Sequence, residues 1–179
     1  MTGLTADMSG LTTVVERVVA GDESAFARLV AMYQLDLVRV AFVVTGDQAL
    51  AEEAAEAAWW IAWRKMSGLR DPARVRGWLV AVAANEARKL VAHRNRRAVV
   101  ELHLGDLDPP DDAPRDIERL DLANALGRLA PADLALVALR YAADLDSDEI
   151  APLVHMSASG VRSRLARVLH RLRKDLEHD

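Results

Sequence analysis

One stretch near the middle of the chain interrupts sequence that otherwise favours helices. It reads ELHLGDLDPPDDAPRDIERL over residues 101–120 and contains three prolines and five aspartates. Proline lacks a backbone donor and clashes with the preceding helical turn, and so acidic a segment has too little apolar surface to build a core. We therefore expect an acidic flexible linker over residues 99–120, with one domain before it (1–98) and another after it (121–179).

The composition around this linker predicts an all-α protein. The chain has 179 residues, of which 51% are hydrophobic, and alanine, leucine, glutamate and arginine are abundant. These residue types have high helix propensity. The sequence contains no Asn-Gly or Asp-Gly pair, the strongest short signal for a β-hairpin. We expect two small helical domains joined by the linker.

Several absent signals narrow the class of protein. The chain has no cysteine, which excludes disulfides and thiolate metal sites and suits a reducing cytosol. Its first ten residues show no signal-peptide pattern, and no window approaches about 18 uncharged apolar residues. We expect a cytoplasmic protein with no membrane insertion, no metal site and no other cofactor.

Charge is segregated along the chain, although the formal net charge is only −4. Residues 1–63 carry nine acids and three bases, a net of −6. Residues 64–97 carry ten bases and two acids, a net of +8, and residues 101–121 carry eight acids and two bases, a net of −6. Such blocks predict one surface for a polyanion and another for a different partner. Charges gathered by chance on solvated helix faces would give the same pattern.

Apolar residues at helical spacing predict four helices before the linker and four after it. The first helix ends before Gly21, and Asp22 or Ser24 caps the second. A turn at 45–47 leads into the third helix, and a short basic loop at 68–77 leads into the fourth.

The third predicted helix concentrates acids and then tryptophans. Glu52, Glu53 and Glu56 share one face because they are three and four residues apart. A basic partner surface would turn their mutual repulsion into attraction, whereas an ordinary solvated acidic face requires no partner. We expect the tryptophans, which are Trp59, Trp60 and Trp63, to pack in the core.

The fourth predicted helix and the loop before it gather basic residues suited to phosphate oxygens. These are Arg74, Arg76, Arg88, Lys89, Arg94, Arg96 and Arg97. Asn85 lies one turn before Arg88, where its amide can hydrogen-bond a base edge. Trp78 is the aromatic residue of this stretch, and we expect it to pack inward.

The last two predicted helices have the layout of a helix-turn-helix. Asp146 or Ser147 caps the first, a short turn at His155-Met156 follows, and Ser157 caps the second. The second helix combines a leucine and valine stripe with polar residues largely off it, which are Arg162, Ser163, Arg164, Arg167, Arg171 and Arg173. An amphipathic helix closing a bundle would show the same stripe. A helix that only closes a bundle does not need a short helix before it. Because this helix has one, we favour the interpretation that it reads the DNA major groove.

Taken together, these motifs resemble those of the bacterial extracytoplasmic-function (ECF) sigma factors of the sigma-70 family, over nearly the whole chain. AEEAAEAAWWIAWRK is similar to the acidic and aromatic region 2.2, and VRGWLVAVAANEARKLVAHRNRR to regions 2.3 and 2.4. LAPADLALVALRYAADLDSDEIAPLVHMSASGVRSRLARVLHRLR is similar to region 4. The end of this last segment also fits regulators with a LuxR-type helix-turn-helix. Region 2 features ahead of an acidic linker are more specific.

The resemblance implies a transcription initiation factor without catalytic activity. It would bind core RNA polymerase, at the clamp helices of the largest subunit and the flap of the second-largest subunit, and direct it to promoters with −10 and −35 elements. An anti-sigma factor is a further implied partner. The protein would lie in the cytoplasm and associate with the nucleoid when active.

The resemblance also assigns roles by position. Glu52, Glu53 and Glu56 would bind the clamp helices. Region 2, in residues 1–98, would recognise and open the −10 element through Arg74, Arg76, Asn85, Arg88, Lys89, Arg94, Arg96 and Arg97. Region 4, in residues 121–179, would read the −35 element through Ser157, Arg162, Ser163, Arg164, Arg167 and Arg171. The acidic linker would thread toward the active-site and RNA-exit channel.

Four residues depart from the family pattern. Glu56 replaces a usual glutamine, and Val80 stands where the family often has tyrosine. Pro152 falls within the first helix of the helix-turn-helix, so we expect that helix to be kinked or short. His155 takes a turn position usually held by glycine, and histidine is among the residues that tolerate a positive φ angle.

Two other classes of function remain open from the sequence. One is a regulator that binds DNA through its C-terminal domain and a partner protein through its N-terminal domain. The other is a helical enzyme, which the sequence disfavours because it lacks the Glu-x-x-His spacing of di-iron bundles and its histidines are scattered.

Overall fold

The computed structural model describes the backbone of residues 3–101 and 117–177, and the side chains of residues 10–94 and 121–177. Within the described backbone the fold is all-α, as predicted, with helices in two groups and no strand. The first group contains α1 (Gly3–Val19), α2 (Glu23–Thr45), α3 (Gln48–Lys65) and α4 (Val75–Glu101). The second contains α5 (Ile117–Gly127), α6 (Pro131–Val137), α7 (Ser147–Leu153) and α8 (Ala158–Leu176). Most of the predicted linker lies outside the described residues.

The predicted start of α2 is confirmed, and it is stabilised by a small polar cluster. Asp22 accepts a hydrogen bond from the backbone N–H of Ala25 at 3.0 Å. The Ser24 hydroxyl donates to the same carboxylate at 2.7 Å, and Arg17 donates to it at 2.6 Å. These three donors favour the ionised form, so they hold the pKa of Asp22 well below its usual range. Asp47 caps α3 in the same way, through the N–H of Leu50 at 3.0 Å.

The segment before α4 is more helical than the sequence predicts. The expected loop at 68–77 instead contains a 3-10 turn at Pro72–Arg74, which Asp71 caps by accepting from the N–H of Ala73, and α4 already begins at Val75. Proline favours this outcome because its fixed φ angle suits the first position of a helical turn. Consequently Arg76 lies in the first turn of α4 rather than in a loop.

The first group is held together by a face of α3 made of small side chains. Five alanines of this face are fully buried, namely Ala51, Ala54, Ala55, Ala58 and Ala62. Their size lets α3 approach α2 and α4 closely, while Leu29, Leu37 and Leu79 fill the remaining space. Trp59 is also buried and donates its indole N–H to the side-chain oxygen of Gln34 at 2.6 Å.

The second group contains the predicted helix-turn-helix, formed by α7 and α8. Asp146 caps α7 in a reciprocal arrangement with Glu149, and Ser157 caps α8. The helix α7, which contains Pro152, is short, as predicted. His155 in the turn has a φ angle of 54°, the left-handed conformation that its tolerance of positive φ predicts. Four residues of the α8 stripe are buried, which are Val161, Leu165, Val168 and Leu172.

None of the helices in the described part of the chain is both long enough and apolar enough to cross a bilayer.

Candidate protein and nucleic-acid interfaces

One face of α3, which we call the acidic face, is exposed and carries Glu52, Glu53, Glu56 and Trp60. The side chain of Gln48 donates to Glu52 at 2.6 Å, so one carboxylate is oriented by its own helix. Trp60 is 63% exposed, and the guanidinium of Arg64 lies 4.5 Å from its ring centroid. The acidic face therefore combines three exposed carboxylates with one exposed indole.

The prediction that all three tryptophans pack in the core is wrong for two of them. Trp59 is 7% exposed, whereas Trp60 is 63% and Trp63 is 41% exposed. Consecutive helical residues point about 100° apart, so Trp59 lies at the edge of the buried alanine face of α3 whereas Trp60 points away from it. Trp63 keeps an edge-on contact with Phe26, with ring centroids 5.0 Å apart.

A second candidate surface is a groove between α3 and α4, which we call the α3–α4 groove. Its volume is about 350 Å³, and it is lined by Ile61, Lys65, Trp78, Val82, Asn85, Glu86, Arg88 and Lys89. Trp78 packs against the core, as predicted, but it is only half-buried and also faces the groove. Asn85 accepts a hydrogen bond from Arg88 at 3.0 Å, and Lys89 pairs with Glu86 at 2.7 Å.

The other basic residues of this region lie elsewhere. Arg74 is exposed and pairs with Asp71 at 3.3 Å. Arg94 reaches back to the end of α2, where it donates to the carbonyl of Thr45 at 3.3 Å and lies 3.4 Å from a carboxylate oxygen of Asp47. Arg76 is engaged in the contact between the two helical groups. The side chains of Arg96 and Arg97 lie outside the described residues.

The third candidate surface is the exposed side of α8. Arg162, Ser163, Arg167 and Arg171 are all exposed there. Ser157, at the start of the helix, uses its hydroxyl to accept from the N–H of Gly160 at 3.1 Å.

Arg164 differs from its neighbours on α8 because it has a partner in α6. Its Nε lies 2.7 Å from a carboxylate oxygen of Asp133, an acid that is 8% exposed. Charge-assisted hydrogen bonds of this kind contribute about 1.5–3 kcal/mol, and a buried acid without its partner is costly. The arginine therefore stabilises the packing of α6 on α8.

We expect Arg164→Ala to lower the free energy of unfolding by about 2 kcal/mol, because Asp133 would be left buried and unpaired. Thermal and urea unfolding of the full chain measure this effect. A double variant with Asp133→Leu and Arg164→Met should recover most of the loss, since removing both partners leaves no orphaned charge. An unchanged melting temperature in Arg164→Ala would contradict this assignment.

The two helical groups contact each other through α4. Arg76 donates from Nε to Asp36 of α2 at 2.8 Å and from Nη1 to the carbonyl of Ala143, in the second group, at 2.9 Å. At the next residue of α4, Gly77, the contact is apolar. A Cβ placed on Gly77 would lie 3.9 Å from side-chain carbons of both Leu145 and Leu153, which is an ordinary van der Waals separation.

Among the described residues, no group of three or more histidine, aspartate or glutamate side chains is arranged to hold a metal ion.

Two models of one family match the chain: Sigma-70 region 2 over residues 29–97, and Sigma-70, region 4 over residues 119–172. Together they cover more than half of the sequence. The chain is 28% identical to the RNA polymerase sigma-H factor of Pseudomonas aeruginosa, covering 92% of both proteins. It is 27% identical to the ECF RNA polymerase sigma factor BldN of Streptomyces coelicolor, covering 95% of this chain and 68% of BldN.

The chain is also 28% identical to the probable RNA polymerase sigma factor RfaY of Xanthomonas campestris, but it spans only 42% of that relative's length. Two solved structures share its fold. One is CnrH in complex with the cytosolic domain of CnrY, with a TM-score of 0.71, 23% identity, and coverage of 94% of this chain and 98% of that chain. The other is the sigma factor RpoE in complex with the anti-sigma factor NepR from Bartonella quintana, with a TM-score of 0.66, 19% identity, and coverage of 86% and 98%.

The paired region 2 and region 4 matches, on an all-α fold with a helix-turn-helix, define the class: the chain belongs to the sigma-70 family of transcription initiation factors. Within that family it is an ECF sigma factor, as its relatives indicate and as the sequence motifs predict.

Proposed function

We propose that this sigma factor directs core RNA polymerase to promoters through three separate surfaces. The acidic face of α3 binds the polymerase clamp helices, the α3–α4 groove binds the opened −10 strand, and the exposed side of α8 reads the −35 duplex. The observation that carries this proposal is that α3 and α8 expose opposite charge on different surfaces. An acidic surface suits a basic protein partner, whereas an arginine-rich helix after a helix-turn-helix suits DNA.

The domain division proposed from the sequence fits these roles. Region 2 occupies residues 1–98, an acidic linker residues 99–120, and region 4 residues 121–179. The linker's carboxylates would suit a channel that otherwise holds RNA, which is itself a polyanion. The polymerase flap on the second-largest subunit is a further contact that the family membership favours. The factor would act in the cytoplasm, bound at the nucleoid when active, and would lend specificity to polymerase rather than catalyse a reaction.

The −10 residues divide into two kinds by their surroundings. Asn85, Arg88 and Lys89 line the α3–α4 groove, and their partners are neighbours on the same helix, since Arg88 donates to Asn85 and Lys89 pairs with Glu86. Arg76 and Arg94 instead have partners outside α4, in Asp36 and in the carbonyl of Thr45. We propose that these two position α4, and that Arg88 and Lys89 neutralise phosphates while Asn85 reads a base.

Trp78 adds a stacking surface to the same groove. We expect Trp78→Leu to weaken binding of the −10 non-template strand by about tenfold, because leucine fills space but cannot stack, and a stacked base is worth about 1–3 kcal/mol. Fluorescence anisotropy of the holoenzyme with a labelled strand, and permanganate reactivity of the promoter, measure the effect.

The conservative variant separates stacking from packing at this position. Trp78→Phe keeps an aromatic ring and should retain most of the affinity. If the Trp78→Leu variant binds core polymerase normally and binds the −10 strand as tightly as the wild type, the stacking role is refuted.

Run-off transcription tests the function as a whole. Purified chain and core polymerase are incubated with genomic fragments, and transcripts whose starts depend on the chain are mapped. We expect discrete starts that share two upstream elements. Absence of both specific transcripts and core binding would instead support a helix-turn-helix regulator, an alternative that the region 2 match disfavours.

An anti-sigma factor is a further proposed partner. Both structural neighbours described above were solved as complexes, one of them with an anti-sigma factor. Co-purification of the tagged chain from its native host, followed by inhibition of run-off transcription by the captured protein, tests this proposal.

A further inference from the structure

The α3–α4 groove contains an acid that the proposed function does not use. Of the described side chains that line this groove, Glu86 alone is negatively charged, whereas three are positively charged. A carboxylate repels the phosphates of a DNA strand. Its presence in a groove that binds a strand therefore weakens binding, unless the carboxylate contacts a part of the strand other than the phosphates.

Glu86 lies deep in the groove rather than at its rim. Its side chain is only 15% exposed, compared with 68% for Lys89, with which it pairs. An ordinary ion pair on a solvated helix leaves both partners exposed and contributes little to stability. Trp78 and Val82 precede Glu86 by about two turns and one turn on the same face of α4. The carboxylate is therefore in line with the proposed stacking surface.

The ion pair presents its hydrogen-bonding atoms in a definite order. Oε1 of Glu86 accepts from Nζ of Lys89 at 2.7 Å. This contact leaves Oε2 and the second lone pair of Oε1 to accept from a ligand, and it uses only one of the donors of the ammonium group. From Oε2 through Oε1 to Nζ, the pair offers an acceptor, a second acceptor and then a donor.

Guanine is the base whose Watson–Crick edge complements this order. In an unpaired strand that edge is free to be read, and it presents the donors N2–H and N1–H followed by the acceptor O6. Thymine has a single N–H between two carbonyl oxygens, so an oxygen would face the carboxylate. Cytosine and adenine each offer an amino group followed by a ring acceptor, so they satisfy only one carboxylate oxygen.

We propose that Glu86 selects guanine at one position of the opened −10 strand, with Lys89 donating to O6 of the same base. The inference rests on the proposed function, because it requires the strand to enter the α3–α4 groove. Glu86 lies about 12 Å further along α4 than Trp78, at about 1.5 Å per residue, so the selected base is not the one that stacks on the indole. Lys89 thereby acts in base selection as well as in neutralising phosphates.

Binding of short oligonucleotides to the holoenzyme tests this selection. The probes are fluorescently labelled thymidine strands that differ only at one central position, which carries thymine, guanine, cytosine or adenine. We expect the guanine strand to bind about tenfold more tightly than the thymine strand, which is the effect of one bidentate contact to a base. Fluorescence anisotropy measures each dissociation constant.

Glu86→Gln should change the base preference without weakening the strand contact as a whole. Glutamine has nearly the same shape but offers one acceptor and one donor, an arrangement that suits adenine. We expect the guanine preference to disappear and the thymine strand to bind at least as tightly as in the wild type, because a negative charge is removed. Glu16→Gln, at an exposed acid of α1, is the matched control. A uniform loss of affinity for every strand would show that Glu86 only positions Lys89, and would overturn the proposal.

Two base analogues identify the edge that is read without altering the protein. Inosine lacks the exocyclic amino group of guanine, so it should bind several-fold more weakly than guanine. Deazaguanine with carbon in place of N7 keeps the Watson–Crick edge, so it should bind as guanine does. If only the deazaguanine strand loses affinity, a basic side chain reads N7 and O6 instead, and selection by Glu86 is wrong.

Failure of the inference and failure of the proposed function give different results. If the wild-type holoenzyme binds all four strands with equal affinity, and more tightly than the Trp78→Leu holoenzyme does, the groove holds the strand but Glu86 does not select a base. If the wild-type holoenzyme binds no strand more tightly than the Trp78→Leu holoenzyme does, the groove does not hold the strand, and both the proposed −10 role and the inference are overturned.

Discussion

Reversing the three acids of the α3 acidic face is expected to abolish core polymerase binding. In a variant with Glu52→Lys, Glu53→Lys and Glu56→Lys, a basic partner surface would meet like charge, which costs several kcal/mol. The dissociation constant should rise by at least about 100-fold, since about 1.4 kcal/mol corresponds to tenfold. Anisotropy of the labelled chain titrated with core polymerase measures it.

The apolar part of the acidic face, the side chain of Trp60, can be tested separately. Trp60→Ala removes an exposed indole and should weaken core binding by about 30-fold, the effect of a typical interface hot spot of about 2 kcal/mol. Because Trp60 is mostly exposed, thermal stability should change little. The reversal of Glu16, Glu23 and Glu177, three exposed acids on other helices or ends, is the charge-matched control. Equal loss in both triple variants would indicate a general charge effect and refute the proposed interface.

The next largest expected effect is the loss of affinity for the −35 duplex when two exposed arginines of α8 are removed. In Arg162→Ala with Arg167→Ala, affinity for the −35 duplex should fall by about 100-fold, because each base or phosphate contact is worth about 1–3 kcal/mol. The dependence of transcription on the −35 sequence should disappear at the same time. If both arginines contact phosphates only, the slope of log affinity against log salt concentration falls in magnitude by about two, while the preference for the −35 sequence is retained.

The choice of residues for this experiment follows from the structure. Arg164→Ala alone would be hard to interpret, because it also leaves Asp133 unpaired. Arg173→Ala with Lys174→Ala removes the same charge from the last turn of α8 and serves as the control. Full −35 dependence in the Arg162 and Arg167 double variant would show that α8 does not read the promoter.

Much of the fold could be predicted because its signals are local. Asp22, Asp146 and Ser157 precede apolar residues at helical spacing, and each caps a helix through an N–H two or three residues later. The short α7 follows from Pro152 in the same way. Where the prediction failed, at the start of α4, two local rules competed. A basic, proline-containing segment fits a loop, but proline also favours the first turn of a helix.

The sequence predicted which residues belong to the candidate sites, but not which of their side chains are exposed. The sequence places Trp59 and Trp60 side by side, and only packing decides that the first is buried and the second exposed. Val80, a departure from the family pattern, lies on α4 and is fully buried. Its side chain therefore contributes to the hydrophobic core and not to an exposed surface.

The sequence by itself determined the number of helices, most of their bounds, the acidic interruption and the family, because each depends on neighbouring residues or on motifs of fixed spacing. Only the tertiary structure decided which charges are available to partners. Arg76 pairs with Asp36, Arg94 with Asp47 and Arg164 with Asp133, all more than 30 residues apart in the chain. An arginine exposed to DNA and one neutralised by a distant aspartate look alike in sequence, because the partner is brought near only by folding.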